Sequence, residues 1–259
     1  MDLGIAGETG LVLGGTRGLG LACARALAEA GVRTAICGRD AEVGTQAAKK
    51  LGPDTLFIAC DLMLEAERAK LIREVRQRLS DPAILVTNGG GPPPGRFDEV
   101  ALGSWRGSYE ENVLAAVDII QQALPAMVAR GFGRIVNITS FVVKEPYPNM
   151  SLSNSVRVAL TGAMASLARE VMEKGVTVNN LLPGLMDTRA LERVVRTRAV
   201  RESITEDEVR RQMALSIPAR RLGRAEDFGP LCAFLCSRHA GYITAQNICV
   251  DGGFVHSLL

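Results

Sequence analysis

The stretch LGGTRGLG at positions 13–20 narrows the folds open to this chain more than any other. It follows directly on a short apolar run, TGLVLG (9–14), and opens a pattern of helical period. In that pattern Leu19, Ala22, Cys23, Ala26, Leu27 and Ala30 recur at i, i+3, i+4 and i+7 spacing until Gly31 ends it. A glycine triad alone is weak evidence, and a glycine-rich structural turn is its plain alternative. Between a strand and a helix, however, the triad describes a loop whose backbone N–H groups and helix dipole face an anion. There Gly14 permits a tight turn, Gly18 lets the backbone approach a pyrophosphate, and Gly20 lets the helix pack closely on the strand. Thr16, Arg17 and Leu19 complete the cradle.

The rest of the chain repeats this alternation. Further apolar runs occur at 33–38, 55–60, 84–88, 134–139, 177–182 and 247–252, bringing the candidate strands to seven. They are near-continuous rather than alternating, as expected of strands covered on both faces. Helical patterns lie between them; one presents Val113, Val117, Ile120 and Leu124 along a face until RGFG breaks it. Strands alternating with helices imply right-handed βαβ units and a parallel sheet. With no linker, repeat or low-complexity tract, the expectation is one α/β domain over residues 1–259, a doubly wound, seven-stranded parallel sheet of the Rossmann type.

Composition serves mainly to exclude. A net charge of +2 gives no reason to expect nucleic acid or an anionic membrane as partner. No apolar run approaches the roughly 18 residues of a spanning helix. The N-terminus also lacks the basic start and cleavage site of a secretion signal, so a cytoplasmic protein is expected. The six cysteines sit in apolar stretches without a CxxC pair, which reads as buried free thiols. With only His239 and His256 available, the chain lacks the ligands for a zinc site and a plausible base for a Ser-His-Asp hydrolase.

The triad spacing is GxxxGxG, and here the chain resembles the short-chain dehydrogenase/reductase family, whose single-domain members carry TGxxxGxG near the N-terminus. Leu13 stands where the family has threonine. The resemblance runs along nearly the whole chain. CDL (60–62) implies that Asp61 and Leu62 meet the adenine, and NGG (88–90) implies Asn88 and Gly89 at the cofactor. ENV (111–113) implies that Asn112 supports a catalytic water, and NITS (137–140) that Ser140 orients the substrate. LPGLMDT (182–188) implies that Pro183, Gly184 and Thr188 fix the nicotinamide carboxamide, and YITAQNICVDGG resembles the last strand. After the second strand, TAICGRD places Arg39 where the family reads the adenosine ribose. An acid there would bond the 2′-hydroxyl of NAD, whereas an arginine accommodates a 2′-phosphate. With Arg17 as a second cation, NADP(H) is favoured, while Asp40 keeps NAD(H) open.

One family feature is missing. The serine is usually followed twelve or thirteen positions later by YxxxK, in which the tyrosine protonates the carbonyl oxygen and the lysine lowers its pKa and holds the ribose. Thirteen positions past Ser140 stands Ser153, and four further stands Arg157. Arg157 can bond ribose hydroxyls and supply field but cannot carry a proton. Ser153 is a poor acid that can still donate a hydrogen bond to an oxyanion. Loss of a general acid removes roughly 10²–10⁴ in rate, so ordinary ketone reduction suffers most. Hydride addition to an enone gives a delocalised enolate, which Ser140 and Ser153 could hold while water supplies the proton. Tyr147, between prolines, and Lys144 are the other candidates, with an exposed loop tyrosine and a solvated loop lysine as their plain alternatives. The KEP…NM…SNS segment resembles a tyrosine-lacking branch of the family that includes a conjugate reductase of bacilysin biosynthesis.

Past the Pro-Gly loop, at about 188–215, the family carries a substrate lid. Here Arg189, Arg193, Arg196, Arg198 and Arg201 crowd it, with Val194, Val195 and Val200 expected on its inner side and Thr205 or Ser203 opening its second helix. A cationic lid suits a carboxylate, a CoA thioester or a phosphopantetheine arm; an arginine-rich solvated face is the alternative. The expected activity is NADP(H)-dependent reduction of a carbonyl or enone on a small anionic or acyl-linked substrate, by a homotetramer without metal. The rivals are a non-catalytic nicotinamide-nucleotide-binding protein, acting as sensor or partner subunit, and a lyase or isomerase.

Overall fold

Each apolar run becomes a strand of one parallel sheet in the computed structural model, which describes residues 1–258. Strands β1 (Thr9–Val12), β2 (Arg33–Gly38), β3 (Leu56–Ala59), β4 (Ile84–Thr87), β5 (Gly133–Ile138), β6 (Val176–Pro183) and β7 (Asn247–Val250) lie in the order β3-β2-β1-β4-β5-β6-β7. The helices between them are α1 (Gly18–Glu29), α2 (Ala41–Leu51), α3 (Glu65–Arg78), α4 (Leu102–Tyr109), α5 (Ala115–Ala129), α6 (Ser151–Val171), α7 (Arg189–Glu202), α8 (Glu206–Ser216) and α9 (Ala225–Cys236). The expected bounds agree with the observed ones to within a residue or two: β2 matches, β6 runs one residue further at each end, and the run at 9–14 overshoots β1 where the chain leaves the sheet to build the glycine loop.

Both sheet faces are covered, which is why the strands read as continuous apolar runs. One side packs Leu71 and Ile72 of α3, Ile119 and Ile120 of α5, and Val156 and Leu160 of α6 against Leu11, Ala35 and Leu85. The other packs Cys23 and Leu27 of α1 and Phe228 and Cys232 of α9 against Val12, Ile36 and Ile84. All six cysteines are free, and all but the half-buried Cys249 are buried. The helical stretch Leu102–Ala129 is long and apolar enough to cross a membrane by length and composition, contrary to the reading that no such run exists. Within it Val113, Ala116, Ile119, Ile120, Ala123 and Met127 are spent on the sheet.

Because strand order reverses between β1 and β4, a crevice opens at the carboxyl ends of those strands. A ladder of side chains ties that edge together. The Thr87 hydroxyl donates to Asn137 Oδ1 at 2.7 Å, Asn137 Nδ2 to Asn180 Oδ1 at 3.0 Å, and Asn180 Nδ2 to Asn247 Oδ1 at 2.8 Å. These four residues are register partners across β4, β5, β6 and β7, so one polar rung crosses four strands of the sheet.

Over the crevice stand α7 and α8. Their buried residues Leu191, Val195, Ala199, Val209 and Met213 pack with Phe141 and Val142. Val194 is partly buried against the same cluster, but Val200 is 77% exposed, which corrects its expected inward placement. It follows Ala199 by one residue, about 100° round the helix from the Leu191–Val195–Ala199 stripe. Thr205 caps α8, its hydroxyl accepting from the Glu208 N–H at 3.1 Å.

Candidate active site

The glycine loop after β1 forms one end of a cleft of about 630 Å³. Gly14 holds φ +57°, a left-handed conformation natural to glycine, and Asn88 Nδ2 donates to its carbonyl at 3.3 Å, stapling the loop to the end of β4. Gly20 does not reach the cleft: it is buried where a Cβ would overlap the Gly14 carbonyl, so its part is the close helix–strand packing. Thr16, Arg17, Gly18 and Leu19 line the cleft.

At the adenosine end the lining is Arg39, Asp40, Asp61 and Leu62. Arg17 Nη2 lies 3.1 Å from Asp40 Oδ2, and Asp40 also caps α2 by accepting from Val43 N–H at 3.1 Å. Arg17 is thus half-neutralised, while Arg39 has no carboxylate partner among the described residues. Buried Arg68 fixes this wall from behind, donating to the Leu62 carbonyl at 2.7 Å and to Glu110 at 3.1 Å and pairing with Asp118. Cys60 also lines the cleft, beside the buried thiol of Cys37. The sequence reading passed it over as a core thiol; its position immediately before Asp61 was the available signal.

The reacting end is built on β5 and α6. Ser140 leaves β5 and opens a short turn, its hydroxyl accepting from Val142 N–H at 3.4 Å. Ser153 and Arg157 lie one turn apart on the buried face of α6 and, with Ser140, line the cleft. Arg157 Nη1 donates to the Ile138 carbonyl at 3.1 Å. Burial pulls its pKa down to about 10, partly offset by Glu111, so the guanidinium stays charged at neutral pH. Its Nε is buried without a partner, and so is Oδ1 of Asn112. Asn112 stands not on the cleft wall but behind it, in a π-helical turn (Glu110–Leu114), with Nδ2 donating to the Ser108 carbonyl at 3.0 Å. It shares a cavity of about 10 Å³ with Arg157, roughly the room one water needs. Gly89, Pro183, Gly184 and Thr188 line the cleft opposite, Thr188 as the residue that opens α7.

Two residues left open by the sequence separate here. Tyr147 lines the cleft instead of standing exposed in its loop. Its backbone is clamped by Asn154, which accepts from the Tyr147 N–H at 3.3 Å and donates to its carbonyl at 3.1 Å. Its ring stands edge-on to Phe141 with centroids 5.5 Å apart. Lys144 does not line the cleft; its charge is felt instead by Cys249 on β7.

The residues fit a nicotinamide dinucleotide. The loop offers a cradle at Gly14 and Gly18, both with positive φ, where side chains would strain or crowd it. The unpartnered Arg157 Nε marks a buried donor at the other end. No cluster of three or more metal-ligating side chains occurs among the described residues.

Residues 14–255 match the family model described as enoyl-(acyl carrier protein) reductase. Among curated proteins the chain is similar to the NADPH-dependent reductase BacG of Bacillus subtilis (strain 168), at 29% identity over 97% of this chain and 99% of that protein. It is also similar to the 3-oxoacyl-[acyl-carrier-protein] reductase FabG of Aquifex aeolicus (strain VF5), 30% identical over 98% of this chain and 99% of that one. Among solved structures, L-sorbose reductase from Gluconobacter frateurii, complexed with NADPH and L-sorbose, superposes with a TM-score of 0.94. That likeness covers 100% of both chains at 28% identity.

Proposed function

The chain belongs to the short-chain dehydrogenase/reductase family, and we propose that it is a cytoplasmic, NADP(H)-dependent oxidoreductase that reduces the carbonyl or conjugated double bond of a small anionic or acyl-linked substrate. The observation that carries this reading is the grouping of two hydroxyl residues, Ser140 and Ser153, with the buried Arg157 guanidinium in the cleft that the glycine loop also lines. The nucleotide, when bound, supplies hydride. The chain's own residues bind, orient and stabilise charge.

In this reading the glycine loop holds the pyrophosphate, Arg39 and Arg17 the 2′-phosphate, and Asp61 the adenine. Asn88, Pro183, Gly184 and Thr188 orient the nicotinamide, and Arg157 bonds the ribose. The Ser140 and Ser153 hydroxyls donate to the substrate oxygen as it gains negative charge, and Arg157 adds a fixed positive field. Hydrogen bonds suffice for an enolate, whose charge is delocalised, but not for a bare alkoxide. Conjugate reduction is therefore the favoured reaction. Asn112 acts at one remove, through the cavity it shares with Arg157. The lid at about 188–215 closes over the substrate, and four chains assemble through the helices after β4 and β5 and through β7.

A second reading of the proton source rests on Tyr147, which lines the same cleft and whose phenol has no hydrogen-bond partner among the described residues. If that phenol protonates the product, saturated ketones are also substrates, and Tyr147→Phe removes that activity while sparing enones. NADPH oxidation is therefore measured on matched enones and saturated ketones, with product mass as a second readout. The expected result is oxidation with enones and a gain of two hydrogens. NADPH binding without oxidation on any of them would favour the non-catalytic rival, and product of unchanged mass a lyase or isomerase.

A further inference from the structure

The arginines of α7 are not equivalent. Arg196 Nε lies 3.6 Å from Glu206. Arg198 Nε is held by both Glu202 oxygens at 3.0 and 2.9 Å, and its Nη2 donates to Gln212 at 2.6 Å. Arg201 Nη2 donates to the same Glu202 at 2.8 Å. These three are drawn to carboxylates, Arg198 and Arg201 sharing one, and none of them lines the cleft. Arg189 and Arg193, one turn apart, line the cleft mouth and have no carboxylate partner among the described residues. Arg193 reaches across the mouth, Nη2 donating to the Gly91 carbonyl at 3.4 Å, long enough to be surrendered to a better acceptor.

The acids of the cleft are committed elsewhere. Asp40 and Asp61 lie at the adenosine end, where Asp40 is paired with Arg17, and the charge of Glu111 acts on Arg157. The cleft that holds these arginines and the serines is also lined by the largely apolar side chains of Tyr147, Met150, Val194 and Met213. Resting on the nucleotide-cleft reading above, we infer that Arg193, backed by Arg189, seats a carboxylate of the substrate, so that the enzyme selects a compact organic acid whose apolar, unsaturated body reaches from the lid to Ser140 and Ser153. A guanidinium fork matches a carboxylate with two parallel N–H donations, and neighbouring like charge at Arg189 sharpens the preference for an anion.

The test is calorimetric and needs no turnover. The protein saturated with NADP⁺ is titrated with cinnamate and with cinnamamide, its neutral counterpart of nearly the same shape. Cinnamate is expected to bind at least about tenfold more tightly, the scale of a charge-assisted hydrogen bond. That preference should vanish in Arg193→Gln, persist in part in Arg193→Lys, and stay unchanged in Arg196→Gln, with NADP⁺ affinity equal in all. Equal affinity for the two probes, uptake of neither, or a preference that survives Arg193→Gln would overturn the assignment. So would a loss of NADP⁺ affinity in that variant, which would reassign Arg193 to the nucleotide. Failure of the underlying reading shows earlier and separately, as no NADP⁺ uptake by the unaltered protein.

Discussion

Ser153 is only 5% exposed, yet it lines the cleft one turn ahead of a buried cation. A residue so placed has little freedom, which is what an oxyanion donor requires. Ser153→Ala is accordingly expected to lower turnover on enones by about 100-fold while leaving NADPH affinity unchanged, as read from initial rates and a nucleotide titration. The double change Ser153→Tyr/Arg157→Lys restores a general acid, and should raise activity on saturated ketones by about 10²-fold while costing activity on enones. No change in either would remove the enolate account. The absence of the phenol from α6 was legible as a count of thirteen positions from Ser140. The approach of Tyr147 was not, because it depends on Asn154 folding the proline-flanked loop back onto α6.

At the scale of elements, the Thr87–Asn137–Asn180–Asn247 rung ties four strands of the sheet together by side-chain hydrogen bonds. Replacing Asn137 by leucine keeps the number and branching of heavy atoms but leaves the Thr87 hydroxyl without its acceptor and Asn180 Oδ1 without its donor. Both sit in a buried setting, so the expected cost is about 2–4 kcal/mol. Thermal unfolding should shift down by about 5–15 °C, whereas Asn247→Ala, on the half-buried edge strand, should shift it less. The strands and helices were readable because their signals are local: runs without alternation, a 3.6-residue stripe, and a glycine just past the ends of α1, α2 and α5. The rung was not, since it becomes visible only when β4, β5, β6 and β7 are laid in register. The lid shows the same division. Its helices and the Thr205 cap follow from sequence, but the sorting of its arginines depends also on Glu206 and Gln212, which α8 brings alongside Arg196 and Arg198.

Across the whole molecule, apolar side chains remain uncovered on the helices that flank one side of the sheet. Leu102, Tyr109, Leu114 and Val158 are 65%, 44%, 44% and 49% exposed, and Tyr242, shortly before β7, is 97% exposed. A tetramer built through these helices and β7 would bury them. Light scattering should give the mass of four chains, and Val158→Asp should reduce it with the circular dichroism spectrum intact. An unaltered mass in that variant would place the interface elsewhere. All of the chemistry, however, depends on one ligand lying along the carboxyl edge of the strands. Calorimetric titration with NADPH and with NADH tests that directly. The expected result is one NADPH bound per chain, with NADH bound more weakly because Arg39 and Arg17 meet a phosphate only in the first. No heat of binding with either nucleotide would contradict the account at its root.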